Sequence, residues 1–427
     1  MKNLLKYLGI AIALFFGMQM QAQENNLWNR DLPNFRYPDQ RGLDTFEPHK
    51  DTLTDFNGIN VRVGGAFALQ FQAIDQENSG NTATPALADV GDNFNLATAN
   101  LDFDVMLYDG VRLHLRTYLS SQHHNETYVK GGYLQIDKLD FISKGFAEGL
   151  MDHMRIKIGH MENNYGDAHF RRTDNAMALY NPFVGNYLMD SFTTEVGVEV
   201  YYFNNGFLGM LGATNGKLNQ NVTNPGNTSP SLLAKIGYDK NFTDDFRFRL
   251  TGSIYHTNQT SSAYLYSGDR AGSRYYSLMT TPEGAGDGFR SARVNPNLKN
   301  ELTAVMINPF LKFGGLEFFG IYERASGKLS AEADQRTWNQ YAGELIYRFG
   351  NTENFYIGGR YNSVNGELES GEDVTVNRYN LGAGWFMTKN ILSKIEYVNQ
   401  EYNDFPTTDI HNGGKFNGVV FEAVISF

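Results

Sequence analysis

The sequence contains no cysteine and only 11 prolines among its 427 residues. Without cysteine, a disulfide framework, a thiolate metal site and a lipid attached to an N-terminal cysteine are all excluded. After the first residues, no stretch approaches the roughly 20 apolar residues that a membrane-spanning helix requires. A net charge of −11 argues against nucleic acid as a partner. We therefore expect neither a lipoprotein nor a helical membrane protein.

The first residues predict a secretory signal peptide. Lys2 and Lys6 give a positively charged start, residues 7–18 are almost unbroken apolar, and a short polar stretch leads to Ala22. This order of charge, apolar run and small residue is typical of an export signal, and the run is too short to span a bilayer. We expect residues 1–22 to be removed and the mature chain to be exported.

Aromatic residues and glycines are abundant. Aromatics make up 14% of the chain and there are 44 glycines, although the mean hydropathy is below zero. Aromatic belts, glycines in curved strands and a polar interior give this composition to a closed membrane barrel. Residues 23–58 show no sustained period and are predicted to form an N-terminal periplasmic segment that packs partly against the barrel mouth. Residues 59–427 have the pattern of a transmembrane β-barrel.

The clearest strand pair has one apolar face and one charged face. Apolar residues alternate with aspartates in 101–107 and with arginine and histidine in 111–116. A three-residue loop, with Gly110 in the left-handed region, pairs like face with like face. The predicted pairs are residue 107 with residue 111, Asp104 with His114, and Asp102 with Arg116. In a membrane barrel the apolar face contacts lipid and the charged face lines the lumen.

The same alternation recurs and predicts about 16 strands. Short turns alternate with long loops, as in outer-membrane barrels, whose turns are periplasmic and whose loops are extracellular. The predicted long loops are 74–93, 161–191, 215–230, 258–302, 326–337, 366–374 and 403–415. Segment 138–152 is long where a short turn is expected; it is either a helical turn or a sign that the count shifts by one hairpin, to fourteen or eighteen. The predicted fold class is an all-β, closed antiparallel transmembrane β-barrel.

The last strand supports this prediction. Val419, Phe421, Ala423, Ile425 and Phe427 form one apolar face that ends on an aromatic residue. A bare apolar edge strand invites aggregation in a soluble protein, so closure into a barrel is the better explanation.

Together these features resemble Gram-negative outer-membrane porins, particularly the phosphate-selective porins of the O and P type and related Bacteroidetes porins. The sequence Ile-Lys-Ile-Gly-His at 156–160, followed by a long loop that reaches Asn-Pro-Phe-Val-Gly-Asn at 181–186, is part of the resemblance. The resemblance implies location in the cell outer membrane among its lipids, a homotrimer, and a third loop folded inward to narrow the pore. It also implies that the barrel-assembly machinery recognises the last strand through Phe427.

A barrel of this size encloses a water-filled lumen, so the predicted function is passive diffusion of small hydrophilic solutes or ions. Charged residues on the inward faces of strands are the candidate pore lining. They are Asp102, Asp104, Arg112, His114, Arg116, Glu195, Glu199, Arg247, Arg249, Glu344, Arg348 and Arg360. Arginine recurs on the strands, which predicts a weak anion preference. The alternative for each residue is an ion pair that only satisfies its neighbour.

The third loop, 161–191, is the candidate constriction. Its charged residues are Glu162, Asp167, Arg171, Arg172 and Asp174. If the loop enters the lumen, these charges oppose the wall charges and set up a field across the pore. The alternative is a solvated surface loop.

No enzyme is predicted, and neither a cofactor nor a metal site. The pair His123-His124 lies in a loop, and no nucleophile-elbow pattern is present. Two alternative functions stay open. One is a barrel that transports hydrophobic compounds, which requires a plugging N-terminal segment and an apolar lumen pocket. The other is a structural or secretion-accessory barrel that binds partner proteins through its loops, such as the tyrosine-rich loop 258–302.

Overall fold

Sixteen antiparallel strands form a closed ring in the computed structural model. The structure describes residues 31–50, 56–120, 128–173, 177–216, 229–260, 262–268 and 274–427. The strands are Asn60–Glu77 (β1), Asn93–Tyr108 (β2), Val111–Ser120 (β3), Tyr128–Ile136 (β4), Met154–Glu162 (β5), Thr194–Asn204 (β6), Phe207–Thr214 (β7), Ser231–Asn241 (β8), Phe246–Thr257 (β9), Glu301–Phe313 (β10), Leu316–Lys328 (β11), Arg336–Phe349 (β12), Phe355–Glu367 (β13), Asp373–Thr388 (β14), Ile391–Asn403 (β15) and Lys415–Ser426 (β16). The predicted fold class and strand number are confirmed. The signal peptide, cleavage after Ala22, the pair His123-His124 and Asp174 lie outside the described residues.

Each strand pairs with its neighbours in the sequence, and β1 closes the ring by pairing with β16. The pairing of β1 with β16 runs from Ala66 opposite Ser426 to Glu77 opposite Lys415. A closed ring leaves no unpaired edge strand, so every strand has a partner strand on both sides. Within the described residues, no helix is long and apolar enough to cross a membrane.

The hairpin of β2 and β3 has the predicted pairs in its body and a different turn. Asp104 lies opposite His114, and Asp102 lies opposite Arg116. Gly110 has a φ of 69°, in the left-handed region where glycine is favoured. The prediction that residue 107 faces residue 111 was wrong: Tyr108 faces Val111, and an irregularity between residues 106 and 108 absorbs the extra residue. A two-residue turn with a bulge therefore gives the same facing pairs as the predicted three-residue loop.

The two ends of the barrel differ in their connections. At one end, which we call the turn end, consecutive strands are joined by a few residues, as in Asn204–Phe207. At the other, the loop end, the connections are long. Segment 138–152 lies at the turn end and contains a four-residue helix, Glu148–Met151 (α1), so it is a helical turn and the count does not shift. Short 3-10 helices occur at Gln40–Gly42, Ala168–Arg171 and Ala285–Arg290.

The outer surface of the barrel is apolar. Leu211, Ile236 and Leu381 expose 70%, 73% and 62% of their surface on outward positions of their strands. Near the turn end, outward aromatic rings stack in a row from Tyr347 to Trp385, with centroids about 6 Å apart. An apolar band bordered by aromatic residues is the surface that a lipid bilayer requires.

Candidate functional site

The connection between β5 and β6 lies inside the barrel. We call residues 163–193 the first inserted loop; residues 174–176 are not described. The side chains of inward wall residues bind its backbone and its tyrosine hydroxyls. The Tyr187 hydroxyl donates to Glu344 over 3.0 Å, the Val184 amide donates to Glu396 over 2.8 Å, and the Met189 amide donates to Gln340 over 2.8 Å. The alternative of a solvated surface loop is therefore wrong.

A second connection enters from the same end. Residues 258–300 between β9 and β10 form the second inserted loop, of which residues 261 and 269–273 are not described. The Tyr266 hydroxyl donates to Glu323 over 2.6 Å, and the Tyr275 hydroxyl donates to Glu396. Both rings are buried, so a partner protein cannot contact them. Tyr266 and Tyr275 lie in the loop for which partner binding was an alternative, and they instead attach this loop to the barrel wall.

The part of the lumen between β6 and β16 is consequently a packed core. Inward apolar residues of these strands, such as Leu302, Phe319 and Val398, are buried against apolar residues of both inserted loops. Dense apolar packing excludes water from this part of the cross-section. The predicted water-filled lumen is therefore not present on this side.

The turn end is covered by residues 31–50, which we call the mouth segment. The Phe46 ring packs edge-on against Phe170 and Phe310, with centroids 5.9 and 5.3 Å apart. The Glu47 carboxylate pairs with Lys235 at 3.0 Å and with Arg249 at 2.7 Å. The mouth segment therefore lies within the barrel opening.

One side of the lumen stays open. A cavity of about 170 Å³ lies between the inward faces of β1 to β5, the first inserted loop and the mouth segment. Five of its lining residues are arginine or lysine and three are aspartate or glutamate. The lining cations are Arg36, Arg62, Arg116, Lys130 and Lys157, and the lining anions are Asp102, Asp104 and Glu162. The cavity is charged, with more basic groups than acidic ones.

Five of the predicted site residues border this cavity. Arg116 pairs with Asp102 at 2.7 Å. The Asp104 carboxylate binds His114 at 2.6 Å and also Arg62 at 2.5 Å. The Glu162 carboxylate binds His169 at 2.8 Å. These residues are Asp102, Asp104, His114, Arg116 and Glu162. Every carboxylate that lines the cavity is thus already engaged by a cation or a histidine.

The other described candidates are sealed between the wall and its inserted parts or lie at the turn end. Glu344 pairs with Arg360 at 2.8 Å and with Arg171 at 2.9 Å. The remaining contacts are Glu195 with Thr214 and Tyr255, Glu199 with Asn164 and Tyr201, Arg112 with Asp137, Arg348 with Glu317, Arg172 with Asp190, Arg249 with Asp167, and Arg247 with Asp239. Of these, Arg247 is partly exposed, at the turn-end opening. The buried residues of this set form ion pairs or hydrogen bonds with their neighbours, which is the alternative given above for each candidate.

Asp167 shows what the buried pairs do. Its carboxylate contacts Lys235 at 2.7 Å and Arg249 at 2.8 Å. Burial opposes ionisation, but these two cations outweigh it and hold the pKa of Asp167 well below its usual range. The carboxylate is therefore charged at neutral pH and fixes the first inserted loop to β8 and β9.

Sequence reasoning missed four cations of the cavity, Arg36, Arg62, Lys130 and Lys157. The Arg36 guanidinium lies 3.5 Å from the centroid of the Tyr180 ring and donates to the Phe170 carbonyl over 2.6 Å. Strand alternation places Lys157 on the inward face of β5, so its position could have been found from the pattern. Arg36 lies in a segment without period, and no local signal marks it.

The Lys157 ammonium has an unusual setting in this cavity. It lies 5.5 Å from the Tyr133 ring centroid and 5.1 Å from that of Tyr201. The facing carboxylate, Glu199, accepts hydrogen bonds from the Asn164 amide and the Tyr201 hydroxyl. Within the described part of the chain, Lys157 forms no ion pair.

No group of three or more metal-ligating side chains occurs among the residues that the structure describes.

Comparisons with known proteins give the fold. No protein-family model matches the sequence, and no similar protein was found among curated sequences. The solved outer membrane channel DcaP of Acinetobacter baumannii is 13% identical, with a TM-score of 0.52 over 88% of this chain and 99% of that one. OmpT, an outer membrane protein of Vibrio cholerae, is 12% identical, with a TM-score of 0.51 over 87% of this chain and 99% of that one. A trimer form of the same OmpT is 11% identical, with a TM-score of 0.51 over 87% and 100%. The chain thus shares the fold of outer-membrane barrels, and its resemblance to the phosphate-selective type stays a prediction.

Proposed function

We propose that the chain is a pore of the Gram-negative outer membrane through which small hydrophilic solutes or ions diffuse passively. The observation that carries this proposal is the charged open cavity beside β1 to β5, in a barrel whose outer surface is apolar. Charged walls suit hydrated solutes, because a hydrophobic solute gains nothing by replacing water there. In this arrangement the turn end faces the periplasm and the loop end faces the outside.

The same cavity supports a weak anion preference. Its carboxylates already contact Arg116, Arg62 and His169, whereas Lys157 has no ion-pair partner among the described residues. A cation without a counter-ion in a narrow, low-dielectric passage attracts anions and repels cations. The strands that the structure describes carry no dense basic ladder, so the preference is for small anions in general rather than for phosphate.

Planar bilayers test this proposal. Purified protein should give stepwise conductance, and under a salt gradient the reversal potential should have the sign of anion preference. Folding is checked by the shift in gel mobility on heating. Folded protein that gives no conductance steps, either intact or after deletion of residues 31–50, would contradict the pore.

Transport of hydrophobic compounds is the second candidate, since it requires an inserted N-terminal segment and the mouth segment is one. The cavity beside that segment is lined by Arg62, Arg116 and Lys157, whereas a hydrophobic solute requires an apolar pocket. Liposomes that contain the barrel separate the two candidates. The pore admits small sugars and salts in a swelling assay, and the alternative admits only detergents or fatty acids.

A further inference from the structure

The mouth segment separates the open cavity from the turn-end opening. Residues 34–38 and 46–48 contribute to the cavity on its inner side. On its outer side, residues 40–44 line one depression at the turn end, and residues 45–50 line a second. A solute in the cavity therefore meets this segment before it reaches the turn end.

The segment is held by side chains of the wall, and most of these bind its backbone carbonyls. The Ser426 hydroxyl donates to the Pro38 carbonyl over 2.6 Å, Arg155 donates to the Pro48 carbonyl over 2.7 Å, and Arg112 donates to the Asn34 carbonyl. The ring of Phe35 also lies under Arg112, with 4.3 Å between the guanidinium carbon and the ring centroid. The contacts extend from β16 through β3 to β5 and so reach around the opening.

The barrel does not need this segment for closure. Twelve register pairs join β1 to β16, and residues 31–50 contribute none of them. Among the described residues, one backbone hydrogen bond joins the segment to a barrel turn, from the Gln40 amide to the Lys389 carbonyl over 2.8 Å. Departure of the segment would leave the sheet intact.

The wall cations that contact the segment would also keep a counter-ion, except for Lys389, which pairs with Asp39 but is exposed to solvent. Lys235 and Arg249 lose Glu47 but retain Asp167. The other retained pairs are Arg112 and Arg155 with Asp137, Arg247 with Asp239, Arg62 with Asp104, and Lys312 with Glu317. A buried cation that lost its only partner would be costly, and this arrangement avoids that cost. The emptied opening would hold excess positive charge, which attracts Asp44 and Glu47 back.

We propose that the mouth segment is a releasable plug. The turn end of the barrel is a docking site for an extended peptide with acidic and aromatic anchors, occupied by residues 31–50 of the same chain. The pore is closed at the turn end when the segment is docked and open when it leaves. This inference rests on the proposed pore function.

A disulfide lock tests the plug, because the chain has no cysteine that could form a competing bond. In the double variant Gln40→Cys with Lys389→Cys, the two backbones are already joined by a hydrogen bond. We expect the oxidised variant to lose at least about 90% of the open time in planar bilayers and to regain it on reduction. The control is Glu301→Cys with Lys328→Cys, which lie opposite each other on β10 and β11 at the loop end. Equal conductance of the oxidised and reduced locked variant would overturn the plug.

Deletion of residues 31–50 is the complementary experiment. We expect the deleted protein to stay open and a synthetic peptide of residues 31–50, added to the turn-end side, to close it. The same peptide with Glu47→Gln should need a concentration roughly tenfold higher or more, because it lacks the charge for Lys235 and Arg249. If intact and deleted proteins conduct equally, the pore stands and the plug is overturned. If both are folded and silent, the proposed pore function itself fails.

Discussion

Inward charged residues of this barrel have two kinds of surroundings. Asp102 and Arg116 pair across β2 and β3 on the open side, where they line the cavity. Glu344 and Arg360 pair across β12 and β13 in the same way, but the first inserted loop covers them and Tyr187 binds the same carboxylate. The residue types and the pairing are alike, and only the loop decides which pair meets solute. A wall charge therefore affects selectivity only where no inserted part covers it.

Lys157 is the wall charge that we expect to influence selectivity most. The variant Lys157→Gln should move the reversal potential of the conducting protein toward cation preference, and Lys157→Glu should move it further, because each removes positive charge from the cavity. Single-channel measurements under a salt gradient provide the readout. Lys144→Gln, at an exposed position of the turn 138–152, is the matched control. An unchanged potential in both Lys157 variants would show that solutes do not pass through this cavity.

Arg172 stabilises the first inserted loop through an ion pair within that loop. It forms two contacts with Asp190 within the first inserted loop, at 2.7 and 2.6 Å, and both side chains are buried. The variant Arg172→Ala leaves a buried carboxylate with fewer partners and should cost about 3–5 kcal/mol in stability to urea. The double variant with Asp190→Asn should recover part of that loss. If either variant conducts, its reversal potential should match that of the parent. A shifted reversal potential would place Arg172 in the solute path.

At the scale of the element, the strands were predictable from local signals, whereas the contacts of the inserted loops were not. Alternation along the chain is a local signal, and it predicted the strand number and the facing pairs of β2 with β3. The destination of the first inserted loop depends on contacts such as that of Tyr187 with Glu344, which are 157 positions apart. No local pattern encodes such a contact. From the sequence, a charged strand residue such as Glu344 could therefore be interpreted either as pore lining or as part of an ion pair. The cavity residues of β2 and β3 were found because both partners lie in one hairpin.

Glycines on the inward face of β14 leave room for the loop contacts. A side-chain β-carbon at Gly384 would lie 2.2 Å from the ring of Tyr356, whose hydroxyl donates to the Pro182 carbonyl of the first inserted loop. The variant Gly384→Ala should displace this tyrosine and cost about 1–3 kcal/mol, measured as a lower midpoint of the heat-induced gel shift. Gly343→Ala is the control, since a β-carbon there approaches Phe318 no closer than 3.7 Å. Equal midpoints for both variants would contradict the role of Gly384.

The docking of the mouth segment should weaken in acid. Burial opposes ionisation of Glu47, but Arg249 and Lys235 outweigh it and lower the pKa from 4.5 to about 2. Because the docked pKa is below that of a free glutamate, the stabilisation is complete above about pH 4.5 and is lost as the pH falls toward 2. Open time in bilayers should therefore rise between pH 5 and pH 3. The variant Glu47→Gln should have a longer open time at pH 7 and a smaller rise in open time between pH 5 and pH 3. If its open time depends on pH as that of the parent does, the Glu47 carboxylate does not control docking.

At the scale of the whole molecule, the strand number does not set the width of the passage. Sixteen strands fix the circumference of the ring, and two inserted loops and the mouth segment then occupy most of the area inside it. The remaining cavity is off-centre. Strand counting from the sequence could predict the ring but not this reduced passage, because the filling comes from loops.

Assembly of several barrels is the remaining prediction at this scale. The resemblance of the sequence to outer-membrane porins implies a homotrimer. Chemical cross-linking of unheated protein in detergent should give a band at three times the mass of the single chain that the heated, uncross-linked protein gives. A mass of one chain in solution, measured by light scattering of folded protein, would contradict the trimer.

The cavity borders the joint at which the ring closes, since Gly64 and Gly65 of β1 and Ser426 and Phe427 at the end of β16 line it. Gly65 and Phe427 exchange two backbone hydrogen bonds of 2.9 Å at this joint. A β-carbon at Gly64 would lie 2.8 Å from the Phe427 carbonyl, so larger residues there disturb the joint and the cavity together. Closure of the ring and the lining of the cavity thus share one set of residues. A substitution here that changes the shape of the cavity therefore also changes the contacts that close the barrel.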